Sequence, residues 1–207
     1  MLGNKKKVKI AVLVSGGGSN LQALIDAQNN GIITDGSIVR VISSKSGVYA
    51  LERAQKADIE TTVIDRAAFP SSEEFNKQLI SALLECGAEL VILAGFLSVL
   101  EKFVTDSFKN RIINVHPSLI PSFCGPGYYG LKVHEEALKR GVKVTGATVH
   151  IVNEITDGGP ILLQKCVEVM QNDTAETLQK RVMEEAEWIL LPRAAQIMCE
   201  KILNENI

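Results

Sequence analysis

Asn114 and His116 stand two positions apart at the end of an apolar run and are followed by Pro117 and Pro121. Alternation along an extended chain puts both side chains on one side. An amide and an imidazole held together can each donate a hydrogen bond to one oxygen, as a tetrahedral acyl-transfer intermediate requires. Taken alone, a histidine at a strand end is more often a satisfied structural residue. A second candidate is Ser15-Gly16-Gly17-Gly18-Ser19-Asn20, which follows an apolar run and opens a helical pattern. Glycines let backbone approach a ligand closely, and a helix start offers unpaired N–H groups and a positive dipole end. That combination suits a phosphate. The third glycine of a dinucleotide fingerprint would fall at Leu21, and no Gly-Lys-Ser/Thr follows, so neither a dinucleotide nor a Walker-type loop is indicated. Asp157, in Asp157-Gly158-Gly159-Pro160, reads from its neighbours alone as a turn residue.

These groups need a scaffold that brings distant residues together. Apolar runs alternate with helical patterns: strands over Val8–Val14, Ile38–Ser43, Glu60–Ile64, Leu90–Ala94 and Arg111–Val115, and helices over Asn20–Gln28, Tyr49–Ala57 and Ser72–Cys86. Ser19 is a plausible N-cap of the first helix, and Phe75, Leu79, Leu83 and Leu84 form the apolar face of the third. Leu90–Ala94 is apolar on both faces, as a central parallel strand should be. After a helix near His134–Arg140 come two strands, Val144–Val152 and Ile161–Val169, with a short connection that suggests antiparallel pairing. A last helix runs from Thr174 to about Ile202, capped by Asp173 with Glu176 and kinked or broken at Pro192. The expected fold is α/β: a doubly wound, mostly parallel, Rossmann-like sheet with an antiparallel extension in the C-terminal half. Ser15–Asn20, Ala94–Leu97 and Asn114–Pro121 fall at carboxyl ends of strands, where such sheets bind ligands. No linker or repeat appears, so one domain over 1–207 is expected.

Composition narrows the classes. Of 207 residues 46% are hydrophobic, and no run of 18 apolar residues occurs, so a membrane span is not expected. A formal net charge of -2 argues against a nucleic-acid partner. The basic cluster Lys5, Lys6, Lys7 and Lys9 reads as a solvated N-terminus, and the apolar stretch after it is too short for a secretory signal. Cys86, Cys124, Cys166 and Cys199 lack C-x-x-C spacing, which argues against zinc and for a reduced, cytoplasmic setting. His116, His134, His150 and Asp157 show no H-E-x-x-H spacing, so no metal is expected. His134 and His150 read as local or structural residues.

Asn114-Val115-His116-Pro117-Ser118-Leu119-Ile120-Pro121 resembles the N-x-H-P-S-L-L-P signature of the formyltetrahydrofolate-dependent formyltransferases, with Ile120 in place of the second leucine. Asp157-Gly158-Gly159-Pro160-Ile161 resembles their D-x-G-P-I/V loop. Ser15–Asn20 resembles the phosphate loop of the member that formylates glycinamide ribonucleotide, and Leu93-Ala94-Gly95-Phe96-Leu97 also fits. The likeness runs from about Val8 to Pro192. It implies 10-formyltetrahydrofolate as co-substrate, no tightly bound cofactor, small-molecule partners, and a monomer or homodimer. It implies catalytic roles for Asn114, His116 and Asp157, with Asp157 favouring the imidazolium form of His116. It implies acceptor contacts from Gly17, Gly18, Ser19, Asn20 and Glu187, with Glu184 and Glu185 close enough to blur the last assignment. It implies a folate site made of Phe96, Leu97, Ser98, Val99, Leu100 and Asn114 with Val152, Asn153, Glu154, Ile155 and Thr156. Ser98 stands where many relatives have arginine, which puts a cationic contact to folate in doubt. The stretch Phe123–Lys132 is longer than in many relatives and reads as a lid or a mobile surface loop.

Overall fold

The computed structural model describes residues 6–205, so Lys5 of the basic cluster lies outside the described residues. Seven strands form one sheet in the order β3-β2-β1-β4-β5-β6-β7. They are β1 (Val8–Val14), β2 (Gly36–Ser43), β3 (Thr61–Val63), β4 (Leu90–Leu93), β5 (Ile112–His116), β6 (Val144–Ile151) and β7 (Ile161–Glu168). The first five pair in parallel, whereas β6 runs antiparallel to both β5 and β7. This is the expected doubly wound sheet with its antiparallel extension. The strand order reverses between β1 and β4, which places a crevice at their carboxyl ends.

Alternation divides the buried strand residues between two cores. Val8, Ile10, Val12 and Val14 of β1 join one cluster, and Ala11 and Leu13 join the other. The first cluster is covered by α1 (Ser19–Asn29), α2 (Tyr49–Lys56), α6 (Ala175–Val182) and α7 (Trp188–Glu205). The second is covered by α3 (Ser72–Glu85), with Phe108 closing it just after α4 (Lys102–Ser107). The remaining helix, α5 (Leu131–Arg140), packs beside α6.

Several local expectations are corrected. Gly18, not Ser19, caps α1: it takes the left-handed conformation (φ 74°), and Ser19 becomes the first helical residue. Leu84 is 64% exposed, because the buried stripe of α3 is Phe75, Leu79 and Leu83. Thr174 caps α6 in a reciprocal box with Thr177, while Asp173 accepts from Thr177 Oγ1 at 2.9 Å and holds Arg181 through two contacts of 2.6 Å. The last helix is not continuous from 174. A π turn over Met183–Glu187 separates α6 from α7, and Pro192 lies inside α7. The proline ring crowds the carbonyl four residues back; the wider turn ends just before that residue, Trp188, so the irregularity sits one turn upstream of the proline. α4 and a 3₁₀ turn at Arg66–Ala68 were not foreseen, being too short to show periodicity.

The β6–β7 connection is closely packed. A Cβ placed on Gly159 would meet the backbone oxygen of Ile151 at 1.8 Å. Gly159→Ala must therefore push the two strands apart, an overpacking cost of about 1–3 kcal/mol. For a chain of this size thermal unfolding should show Tm lowered by about 2–4 °C per kcal/mol. An unchanged Tm would contradict the tight connection.

Candidate active site

The antiparallel register of β5 against β6 sets Asn114 opposite His150 and His116 opposite Thr148. Asn114 Nδ2 lies 3.2 Å from His150 Nε2, and the other ring nitrogen of His150 faces the Ile151 carbonyl at 3.1 Å. His116 Nε2 lies 2.8 Å from the carbonyl oxygen of Phe123. Thr148 Oγ1 donates to the Ser118 carbonyl at 2.7 Å and accepts from Ile120 N, fixing the chain that leaves His116. His150, read from sequence as structural, thus belongs to the cluster. No local motif marks it; only the cross-strand register brings it to Asn114.

Asp157 joins from the β6–β7 turn, where it adopts φ 55°, a left-handed conformation that Asp tolerates better than most residues. Its carboxylate is 3.5 Å from His116 Nδ1 and 3.5 Å from His150 Nε2, and it accepts from Gly125 N at 2.9 Å. Asp157 is therefore no mere turn residue. Burial works to raise its pKa, but His150, the His116 ring and the Gly125 N–H together outweigh burial, so the carboxyl is held below its ordinary value. For His116, burial pushes the ring below its ordinary value against the opposing pull of Asp157 and the Phe123 carbonyl. Asp157 thus acts in the expected direction, favouring the imidazolium form, but burial outweighs it. His134 is fully buried, both its ring nitrogens lack a partner among the described residues, and burial with the nearby His116 pushes it down to about 4.

A cleft of about 730 Å³ opens over this cluster. Its lining includes Phe96, Leu97, Ser98, Val99, Leu100, Asn114, Val152, Asn153, Glu154, Ile155 and Thr156, so every residue expected to contact folate borders one space. Leu97, Val99 and Ile155 form an exposed apolar rim. Tyr128 and Tyr129 of the long loop also border the cleft, and that loop supplies both Phe123 O and Gly125 N to the cluster. Cys124 is half-buried and its thiol is pushed up by burial, away from reactivity. Among the described residues no group of three or more His, Cys, Asp or Glu is placed to hold a metal ion, and no helix is long and apolar enough to cross a membrane.

The far end of the same cleft is Asn20 with Glu187, Gln179 and Met183. Asn20 Nδ2 donates to Glu187 Oε2 at 2.7 Å, while Asn20 Oδ1 is buried without a partner among the described residues. Glu184 and Glu185 are exposed, which leaves Glu187 as the glutamate that faces the cleft; the π turn carries it there. Gly17, Gly18 and Ser19 sit beside this end but do not line the cleft. Ser15 ties the two ends together: its Oγ accepts from Leu97 N at 2.9 Å and pairs with Ser44 Oγ at 2.6 Å. A separate depression of about 510 Å³ beyond β2 and β3, lined by Ser44, Lys45, Ser46, Asp65, Arg66 and Ala67, contains none of the candidate residues.

Burial raises Glu187 to about 7 against the lowering effect of Asn20. Between an ordinary glutamate pKa of 4.5 and about 7 the folded chain keeps a proton that the unfolded chain has lost. That contribution to stability is fully present below the unfolded value and is lost as pH rises through the folded one. Denaturant titrations from pH 4 to 8 should therefore show a decline that Glu187→Gln flattens; parallel curves for the two proteins would contradict the raised pKa.

With this geometry in hand, comparisons place the chain among known proteins. The sequence pattern of the family described as formyl transferase matches residues 8–194. The human trifunctional purine biosynthetic protein adenosine-3 is 42% identical over 194 residues, 94% of this chain but 18% of that protein. The chain spans between 14% and 18% of the length of such trifunctional relatives. Phosphoribosylglycinamide formyltransferase of Escherichia coli is 38% identical over 175 residues, covering 84% of this chain and 80% of that one. The crystal structure of glycinamide ribonucleotide transformylase 1 from Symbiobacterium toebii superposes with a TM-score of 0.90 at 39% identity, over 97% of this chain and 92% of that one. A sequence pattern spanning nearly the whole chain, and relatives alike over most of it, place this chain in the formyl transferase family.

Proposed function

We propose that the chain transfers the formyl group of 10-formyltetrahydrofolate to the amine of 5-phosphoribosylglycinamide, giving N-formylglycinamide ribonucleotide and tetrahydrofolate in purine biosynthesis. One observation carries the reading. A single cleft runs from the Asn114–His116–His150–Asp157 cluster to Asn20 and Glu187 beside the glycine loop, so a folate and a phosphorylated amine can meet over the cluster. The names of the relatives supply the acceptor and the formyl group, folate as donor rests on the resemblance of Asn114–Pro121, and the single-domain reading rests on one sheet shared by both cores.

The folate pteridine enters between the 96–100 and 152–156 segments, and the phosphate rests on the loop Gly17–Asn20. Asn20 and Glu187 then hold the ribose hydroxyls. The amine attacks the formyl carbon, and the carbonyl electron pair moves onto oxygen. Asn114 Nδ2 and the His116 ring donate to that oxyanion. The Phe123 carbonyl, 2.8 Å from His116 Nε2, marks where an acceptor oxygen sits against the ring, so the long loop must yield that place to the substrate. Asp157 remains ionised and steadies charge on the neighbouring rings. As a weak base it passes the ammonium proton on, through water, as the folate nitrogen leaves with a proton.

Steady-state formyl transfer to 5-phosphoribosylglycinamide tests the reading, with formate measured in the absence of acceptor. Acceptor-independent formate release as the main reaction would make the chain a hydrolase instead. Asn114→Ala should lower kcat about 10²–10³-fold, the effect of losing one oxyanion donor. Asp157→Asn should lower kcat and move the His116 pKa, read by NMR, further down, because the one charge that raises it is gone. Glu187→Ala should raise the acceptor KM about tenfold or more, as expected for a lost hydrogen bond to a charged group, while the folate KM holds. If the first two variants kept their rate within about threefold, the cluster would not be the chemical centre.

A further inference from the structure

α2 packs its first turns against the back of the glycine loop. Ala50 N donates to the Gly16 carbonyl at 3.2 Å. Arg53 Nε donates to the Gly17 carbonyl at 2.9 Å, and its Nη1 donates to Gln22 Oε1 at 3.0 Å. The Gly18 carbonyl is taken by Gln22 N at 2.9 Å. Three successive carbonyls are therefore committed away from the ligand side. In a planar trans peptide the next residue's N–H points opposite to the carbonyl. The N–H groups of Gly17, Gly18 and Ser19 are thus turned together, and none donates to an acceptor among the described residues.

Arg53 holds the middle carbonyl of the three, and it is itself held. Its guanidinium carbon lies 4.7 Å from the centroid of the Tyr49 ring, and the Gln22 contact fixes a second corner. The packing is close: a Cβ on Gly18 would meet Ala50 Cβ at 2.7 Å and Arg53 Cδ at 3.4 Å. By contrast, beyond its chain neighbours no described residue lies within 4 Å of a Cβ on Gly17, so the loop's outer side is open for a ligand. A free Gly17 carbonyl could rotate its peptide and point a partial negative charge at the incoming anion. The guanidinium prevents that and leaves its positive charge directly behind the loop.

We infer that Arg53 is a positioning residue for the acceptor's phosphate: it locks the Gly17 carbonyl outward so that the loop presents its N–H groups as an anion cradle. The inference rests on the proposed acceptor, and the substrate group concerned is a phosphate monoester. It separates from a merely structural role because the effect must depend on that phosphate.

The test compares Arg53→Met, which keeps the bulk, and Arg53→Lys, which keeps the charge without the fork. Each is assayed with 5-phosphoribosylglycinamide and with its dephosphorylated ribonucleoside, and each is titrated with inorganic phosphate by calorimetry. Arg53→Met should lower the ratio of kcat/KM for the phosphorylated over the dephosphorylated acceptor about tenfold or more, through acceptor KM. It should weaken phosphate binding in step and leave the folate KM alone. Arg53→Lys should fall between, and it serves as the reading if the methionine variant does not fold. An unchanged ratio, or equal losses on both acceptors, would overturn the inference. If the wild type transfers nothing to 5-phosphoribosylglycinamide, the proposed function fails and phosphate binding alone decides. A wild type that binds phosphate and loses it on substitution sustains the role of Arg53; no binding, or equal binding, removes it.

Discussion

The antiparallel pairing of β5 with β6 is the constraint from which the rest of the site follows. It sets Asn114 against His150 and His116 against Thr148, and it sends the chain out of β6 into the turn that returns Asp157 to both rings. A slip of one residue would turn every one of these side chains to the other face. The register is held by backbone as much as by side chains. Gly159 lies so close to Ile151 that no larger residue fits, and Asp157 takes a left-handed conformation beside it. A fully parallel sheet would reach its next strand through a long crossover and could not bring a carboxylate back so directly.

The site's two ends are linked through a few short contacts at the switch of strand order. Ser15, at the end of β1, reaches Leu97 N and Ser44 Oγ, so the glycine loop and the folate-side loop share one hydroxyl. The electrostatics differ between the ends. At the chemical end, burial pushes the His116 ring below its ordinary value, and the rings and N–H groups around Asp157 hold its carboxyl below its own. At the acceptor end, burial pushes a glutamate up to about 7 against the lowering effect of the Asn20 amide. Opposite shifts of two carboxyl groups in one cleft give each a separate task.

Much of this was legible in the sequence because it is local. Alternation placed Asn114 and His116 together, the glycine loop announced itself by composition, and the central strands β1 and β4 were largely apolar runs. What stayed hidden depends on tertiary register or on backbone irregularity. His150 looked structural because nothing near it in sequence points to Asn114. The resemblance pointed to Glu187, but Glu184 and Glu185 blurred the assignment, because nothing in the sequence shows the π turn that sets the face. Ser19 looked like a helix cap because capping hydroxyls are common, yet the tight contact of Gly18 with Ala50 gives glycine that place. The Ser98 substitution has no structural account beyond its position in the cleft wall.

The central claim is that this cleft passes a formyl group directly from folate to an amine. The decisive measurement is single-turnover mixing of the enzyme with 5-phosphoribosylglycinamide and 10-formyltetrahydrofolate deuterated at the formyl hydrogen, followed by mass spectrometry. The deuterium should arrive intact in N-formylglycinamide ribonucleotide, mole for mole with acceptor consumed. Deuterium recovered as formate while the acceptor stays unformylated would contradict it.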